Sequence, residues 1–167
     1  IMITFNSVYQ FVNDGKRIRI IHLDIEEDLY VYVYLEQAFS MPLLSSISEM
    51  QMKCDNAEIV EIADPYFMIK ADKDLKESEL NKRDEAWKII EAYWDAKKIE
   101  ILTKRTRTAA FEEISRIENI PLVTVRRIFS RFWQRGMNRN ALLPDYAKSG
   151  GKGQERILKE KNGRRRL

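Results

Sequence analysis

Residues 121–136 read PLVTVRRIFSRFWQRG, and their spacing decides how the second half of the chain folds. Val125, Ile128, Phe129, Phe132 and Trp133 recur at i, i+3, i+4, i+7 and i+8, which gathers them on one stripe of an α-helix. About half a turn away lie Val123, Arg127, Ser130 and Gln134, with Arg126 and Arg131 on the flanks. One face is apolar; the other is cationic and hydrogen-bonding. Upstream, TAAFEEISRIE (108–118) turns Ala110, Phe111, Ile114 and Ile117 to one side, and only Asn119-Ile120-Pro121 separates the two runs. Asn tolerates the left-handed conformation that ends a helix, and Pro fits the first turn of the next. Two helices so tightly joined, the second with Arg opposite its apolar stripe, read as a helix-turn-helix with a DNA recognition helix. The same pattern also describes an ordinary surface helix of a bundle, so the charge of the surrounding chain must decide.

That charge is segregated. The 167 residues carry a net +3, but residues 1–80 hold 7 Lys or Arg against 15 Asp or Glu (−8), and residues 81–167 hold 22 against 11 (+11). An acidic front and a basic back suggest two modules, of which the second suits a polyanion. A single cysteine, Cys54, excludes an internal disulfide framework and fits a reducing cytosol. No apolar run approaches the roughly 20 residues that span a bilayer, and no signal peptide opens the chain, so a cytoplasmic location is expected.

Outward from the helix pair, DEAWKIIEAYWDA (84–96) sets Trp87, Ile90, Tyr93 and Trp94 on one side and supplies the third wall that the pair needs. KKIEILTKRTRT (97–108) brings Lys104, Arg105 and Arg107 to the start of the next helix, where backbone N–H groups and cations together suit a phosphate. The charged stretch 71–82, almost without large apolar residues, reads as a linker.

Before it, residues 7–36 read as a strand meander with turns at Asn13-Asp14-Gly15 and Glu26-Glu27-Asp28. In LYVYVYLE, Leu29, Val31, Val33 and Leu35 alternate with Tyr30, Tyr32 and Tyr34, so the two sets face opposite ways. A tyrosine stripe suits single-stranded bases as well as a half-buried sheet face, and the local acidity favours the sheet. The lone His22 excludes a multi-His metal site. Residues 42–53 read as a short helix, with Leu43, Leu44, Ile47 and Met50 at helical spacing, and 58–63 as a further strand. The carboxylates here have no spacing that recommends a metal or an acid–base pair.

After Gly136 periodicity ends. Residues 135–167 hold ten Lys or Arg against three acids, with a Ser-Gly-Gly-Lys-Gly run around Lys152 and Arg164-Arg165-Arg166 near the end. Such an arm suits the phosphate backbone or a minor groove, or is simply a solvated tail.

The run 132–153 resembles the N-terminal region of TnsB transposases, relatives of the phage Mu transposase and of retroviral-type integrases. The resemblance rests on Arg131, Phe132, Trp133 and Gly136, then Asn140 to Leu142, Pro144, Asp145-Tyr146 and Ser149-Gly150, together with Asp64-Pro65-Tyr66 at the join of the two modules. It implies a DNA-binding segment from a cut-and-paste transposase whose metal-dependent catalytic domain lies further C-terminal. It also implies that this segment itself catalyses nothing and needs no cofactor.

The expected class is α+β: a small β-rich, partial-barrel domain (1–70), the linker (71–82), a three-helix helix-turn-helix domain (83–136) and a basic arm (137–167). The expected partner is double-stranded DNA at transposon terminal repeats, with other transposition proteins as further partners and neither a membrane nor a small-molecule substrate. Val123, Arg127 and Ser130, with Arg126, are expected at base edges. Thr124, Arg131, Arg135 and Arg107 are expected on phosphates, joined by Lys104, Arg105, Lys152, Arg164, Arg165 and Arg166. The rivals are a transcriptional regulator using the same helices, with the β domain as dimerisation or sensor module, and a scaffold whose basic face meets an acidic protein.

Overall fold

The computed structural model describes residues 3–67 and 71–145. Alternating apolar residues and tight turns build an antiparallel sheet from β1 (Val8–Phe11), β2 (Arg17–Asp24), β3 (Leu29–Tyr34), β4 (Leu43–Ser46) and β5 (Ile59–Ile62), in the order β4-β3-β2-β1-β5. The expected hairpin between β1 and β2 forms: Gly15 at φ 72° donates its N–H to the Phe11 carbonyl at 2.9 Å, and Asp14 accepts from the Lys16 amide at 3.0 Å. A bulge between Ile20 and His22 shifts the register of β2. Ile18 and Ile20 therefore face the sheet domain's own core, Ile21 faces the helices, and Leu23 returns to the first side. His22 is half-buried, and burial, followed by the charge of Lys98, lowers its pKa.

Residues 42–53 correct the sequence reading. Leu43–Ser46 is strand β4, paired along β3 from Leu29↔Ser46 to Tyr32↔Leu43, and only Ile47–Asp55 is helix, α1. Leu43 and Leu44 fit both periods, and pairing with β3 decides. Ser46 then caps the helix by accepting from the Glu49 amide at 3.2 Å. The tyrosine stripe is packing. Tyr30, Tyr32 and Tyr34 lie against the inner core of the sheet domain with neighbouring ring centroids 5.5 and 5.7 Å apart. Burial, with the neighbouring Tyr34, pushes the Tyr32 hydroxyl up to about 12.

The second half is helical: α2 (Glu77–Tyr93), α3 (Lys98–Leu102), α4 (Lys104–Glu118) and α5 (Leu122–Gln134), followed by a 3-10 turn at Arg139–Leu142. The short α3 is an addition to the three helices read from periodicity. Helix α2 begins well before residue 84, inside the stretch read as linker, which also holds a 3-10 turn at Asp72–Asp74. Its first turn is polar because it faces solvent, and Glu79 stabilises it by accepting from the Lys76 amide at 2.9 Å. Arg83, 3% exposed, then ties this stretch down by donating to Asp72 at 2.8 Å, to Asp84 at 3.0 Å and to Asn140 at 3.0 Å.

Between α4 and α5, Asn119 is left-handed (φ 52°, ψ 48°) as expected, and Pro121 stands at the N-cap, one position before the first turn. Ser115 seals the turn, donating its hydroxyl to the Ile120 carbonyl at 2.6 Å. Val125, Phe129, Phe132 and Trp133 are buried with Ala110, Phe111, Ile114, Ile90 and Trp94. Ile117, expected inward, is 53% exposed at the end of α4. The sheet contributes Ile21, Val31 and Val33 to this same core, so sheet and helices pack face to face.

Candidate nucleic-acid interface

The polar face of α5 is divided in two. Its C-terminal half is covered by the sheet domain: the Gln134 side-chain amide donates to the carbonyls of Tyr34 at 2.8 Å and Gln37 at 2.6 Å. Beneath that contact Ser130 is 2% exposed, its hydroxyl 3.3 Å from Gln134 Oε1. Ser130 therefore does not face base edges, contrary to its place on the helical wheel. The N-terminal half stays open. Val123 is 50% exposed, Arg127 is exposed, and Arg126 and Thr124 are half-buried beside them. Among the described residues Arg127 enters no ion pair; its guanidinium carbon lies 5.9 Å from the centroid of the Phe39 ring, in the loop between β3 and β4.

The residues expected on phosphates divide in the same way. Lys104 and Arg105 are exposed in the first turn of α4, where no acidic side chain competes for the helix N-terminus. Arg107, one turn on, points back into the protein. It donates to the carbonyls of Ile101 at 2.7 Å, Leu102 at 3.1 Å and Pro42 at 3.1 Å, and burial lowers its pKa. It caps the end of α3 and ties the helices to the residue before β4, so these donors go to carbonyls of the protein itself rather than outward. Arg131 and Arg135 share the carboxylate of Asp145. Arg135 takes both oxygens, at 2.6 and 2.7 Å, and Arg131 takes one at 2.8 Å. The hydrogen bonds that Arg135 donates to Asp145 raise its pKa, whereas burial and the charge of Arg135 lower that of Arg131. The two directions agree with the uneven division of the carboxylate. Arg135 also lies 5.5 Å from the centroid of the Tyr66 ring. A phosphate at either arginine would have to compete with Asp145. Lys152, Arg164, Arg165 and Arg166 lie outside the described residues.

A buried group that periodicity did not reveal fixes the angle between sheet and helix. Arg19 is 0% exposed and forks onto Asp64 at 2.7 and 2.8 Å. It also donates to the Asn6 carbonyl at 3.2 Å, to Asn6 Oδ1 at 3.1 Å and to the Gln134 carbonyl at the end of α5 at 3.3 Å. Asn6 in turn donates to the Gly136 carbonyl at 3.0 Å. A cation at a helix C-terminus satisfies carbonyls that the helix leaves open. Burial pushes the Asp64 carboxyl up, but the hydrogen bonds from Arg19, the Tyr66 amide and the Arg19 charge outweigh it and hold it below the usual carboxylate range. The available signal was Arg19 itself, an arginine that strand alternation puts on the same side as Ile21.

The motif that closes α5 has the same structural logic. Trp133 is 0% exposed, and Gly136 turns the chain at φ 119°, where a Cβ would meet Asn138 Nδ2 at 3.1 Å. Asn138 accepts from the Ala141 amide at 3.0 Å, and Ala141 and Leu142 are buried. No helix among the described residues is long and apolar enough to cross a membrane.

A profile of the TnsB N-terminal SH3-like domain matches residues 2–65, and one of the TnsB second domain matches residues 83–146. The chain is also 28% identical, over 152 residues, to the Transposon Tn7 transposition protein TnsB of Escherichia coli; the match takes in 90% of this chain but only 21% of that protein. With the SH3-like domain and the second domain in that order, the chain belongs to the TnsB family.

Proposed function

We propose that this part of the protein binds duplex DNA sequence-specifically at transposon end repeats, on behalf of a transposase whose catalysis resides elsewhere. The observation that supports this best is the open N-terminal half of α5. Helix-turn-helix proteins read bases with the first turns of the second helix, and here those turns present Val123, Arg126 and Arg127. Arg127 has the fork for guanine O6 and N7, and Val123 suits a thymine methyl. Thr124, with Lys104 and Arg105 on α4, would hold phosphates that fix the register. The relative from Escherichia coli carries "transposition" in its name, which favours this reading over a transcriptional regulator.

Binding constants test it. The wild-type chain should select a duplex from a random-sequence pool, and that duplex should match the terminal repeats flanking the gene. Arg127→Ala should lose about 1–3 kcal/mol on the selected duplex and much less on its scrambled counterpart. Selection of no duplex, or equal loss on both, would refute the reading.

A further inference from the structure

We propose that Phe39, on the sheet domain, positions Arg127 for base reading, so that the SH3-like domain takes part in specificity through the recognition helix; this rests on the function proposed above. Three observations carry it. Phe39 is 44% exposed yet held at φ 52°, and it is the only aromatic residue at positive φ among the described residues. A bulky side chain adopts that backbone at a cost, and it persists only where the surroundings impose it. The surroundings here are rigid. Ser40, 1% exposed, accepts from the Tyr34 amide at 2.9 Å and donates its own N–H to the Gln37 carbonyl at 3.2 Å, while Gln37 also accepts from Gln134 on α5. Finally, the imposed conformation sets the ring under the exposed arginine at the centre of the open half of α5.

An arginine on a helix surface samples many rotamers, and each must be given up when its fork meets a guanine. A ring beneath the guanidinium removes part of that freedom in advance while leaving the donors free. Phe39 is thus a positioning residue that need not touch DNA itself.

Five variants test this on two duplexes, one enriched from a random pool by the wild-type chain and one a scramble of it. Phe39→Leu keeps the apolar bulk and the backbone conformation but removes the π face. It should lower affinity for the enriched duplex by about two- to five-fold, the range expected of an exposed cation–π contact, and leave the scrambled duplex and the melting temperature unchanged. Phe39→Tyr should keep wild-type discrimination. Phe39→Gly, which relieves the backbone, should melt no lower than wild type and still lose discrimination. In an Arg127→Ala background, Phe39→Leu should have no further effect. The proposal is overturned by equal loss on both duplexes, by the same loss in the Arg127→Ala background, or by no loss. If Arg127→Ala abolishes discrimination and Phe39→Leu retains it, only this inference fails. If the wild-type chain enriches no duplex, the proposed function fails with it.

Discussion

The guanidinium of Arg19 and the carboxylate of Asp64 meet in a two-point fork, at 2.7 and 2.8 Å, inside the seam between a strand and the end of α5. This pair transmits the position of the sheet domain to α5, because the same guanidinium also reaches the Gln134 carbonyl. A buried ion pair is no guarantee of net stability, yet stranding one member of it is costly. Asp64→Ala leaves a fully buried arginine without its counter-charge and should destabilise the fold by about 3–5 kcal/mol. Urea unfolding measures this directly. A loss below about 1 kcal/mol would mean that Asn6 and the helix carbonyl suffice to hold Arg19.

The same carboxylate gives the fold a defined acid limit. Because Asp64 is held below the usual carboxylate value, its contribution is fully present above about pH 3.9 and is lost as the pH falls through its lower, folded-state value. The difference in stability between wild type and Asp64→Asn should therefore be constant from neutrality to about pH 5 and shrink below pH 4. Thermal melts across that range would show it; a gap that widens on acidification would reverse the assigned sign.

Two residues of the motif that closes α5 should fail structurally, with any effect on DNA following from the fold. Trp133 is wholly buried, 5.8 Å from the Trp94 ring and 5.6 Å from that of Phe129. Trp133→Ala should cost about 3–5 kcal/mol. Gly136→Ala places a side chain at φ 119° and should cost more than about 1 kcal/mol, despite adding a single methyl group. Melting curves unchanged by either variant would mean that the helix is rotated or the turn differently built.

Legibility in the sequence followed the range of the forces involved. The apolar stripe of α5, the left-handed Asn119 and the opposed faces of β3 are local patterns, and all three form. Leu43 and Leu44 satisfied two periods at once, so only pairing with β3 settled their conformation. Ser130 was misplaced for a different reason. The group that covers its face is the loop around Gln37, 97 residues from Gln134 in sequence, and no helical wheel contains it. Arg107 and Arg131 look alike in the sequence as exposed-face cations. Carbonyls at the end of α3 claim one, and the Asp145 carboxylate, 14 residues further along the chain, claims the other.

Asp145 itself yields the last prediction, and its sign separates two roles. Arg131 and Arg135 are about a quarter exposed, at 24% and 26%, and both face one carboxylate. If Asp145 occupies a phosphate position, Asp145→Ala releases two cations, and affinity for any duplex should rise irrespective of sequence. The plot of log affinity against log salt should steepen by about one to two units, since each newly contacted phosphate contributes roughly 0.9 through counterion release. Discrimination between selected and scrambled duplexes should stay as it is, because an equal gain on both leaves the ratio of the two affinities unchanged. Should Asp145 instead orient the arginines toward the backbone, the same variant would weaken both duplexes and flatten the slope. Titrations at several salt concentrations with wild type, Asp145→Ala and Arg131→Ala distinguish these outcomes. We expect the first, because Arg135 turns its two-point fork onto both oxygens of Asp145, the same fork that a phosphate would need.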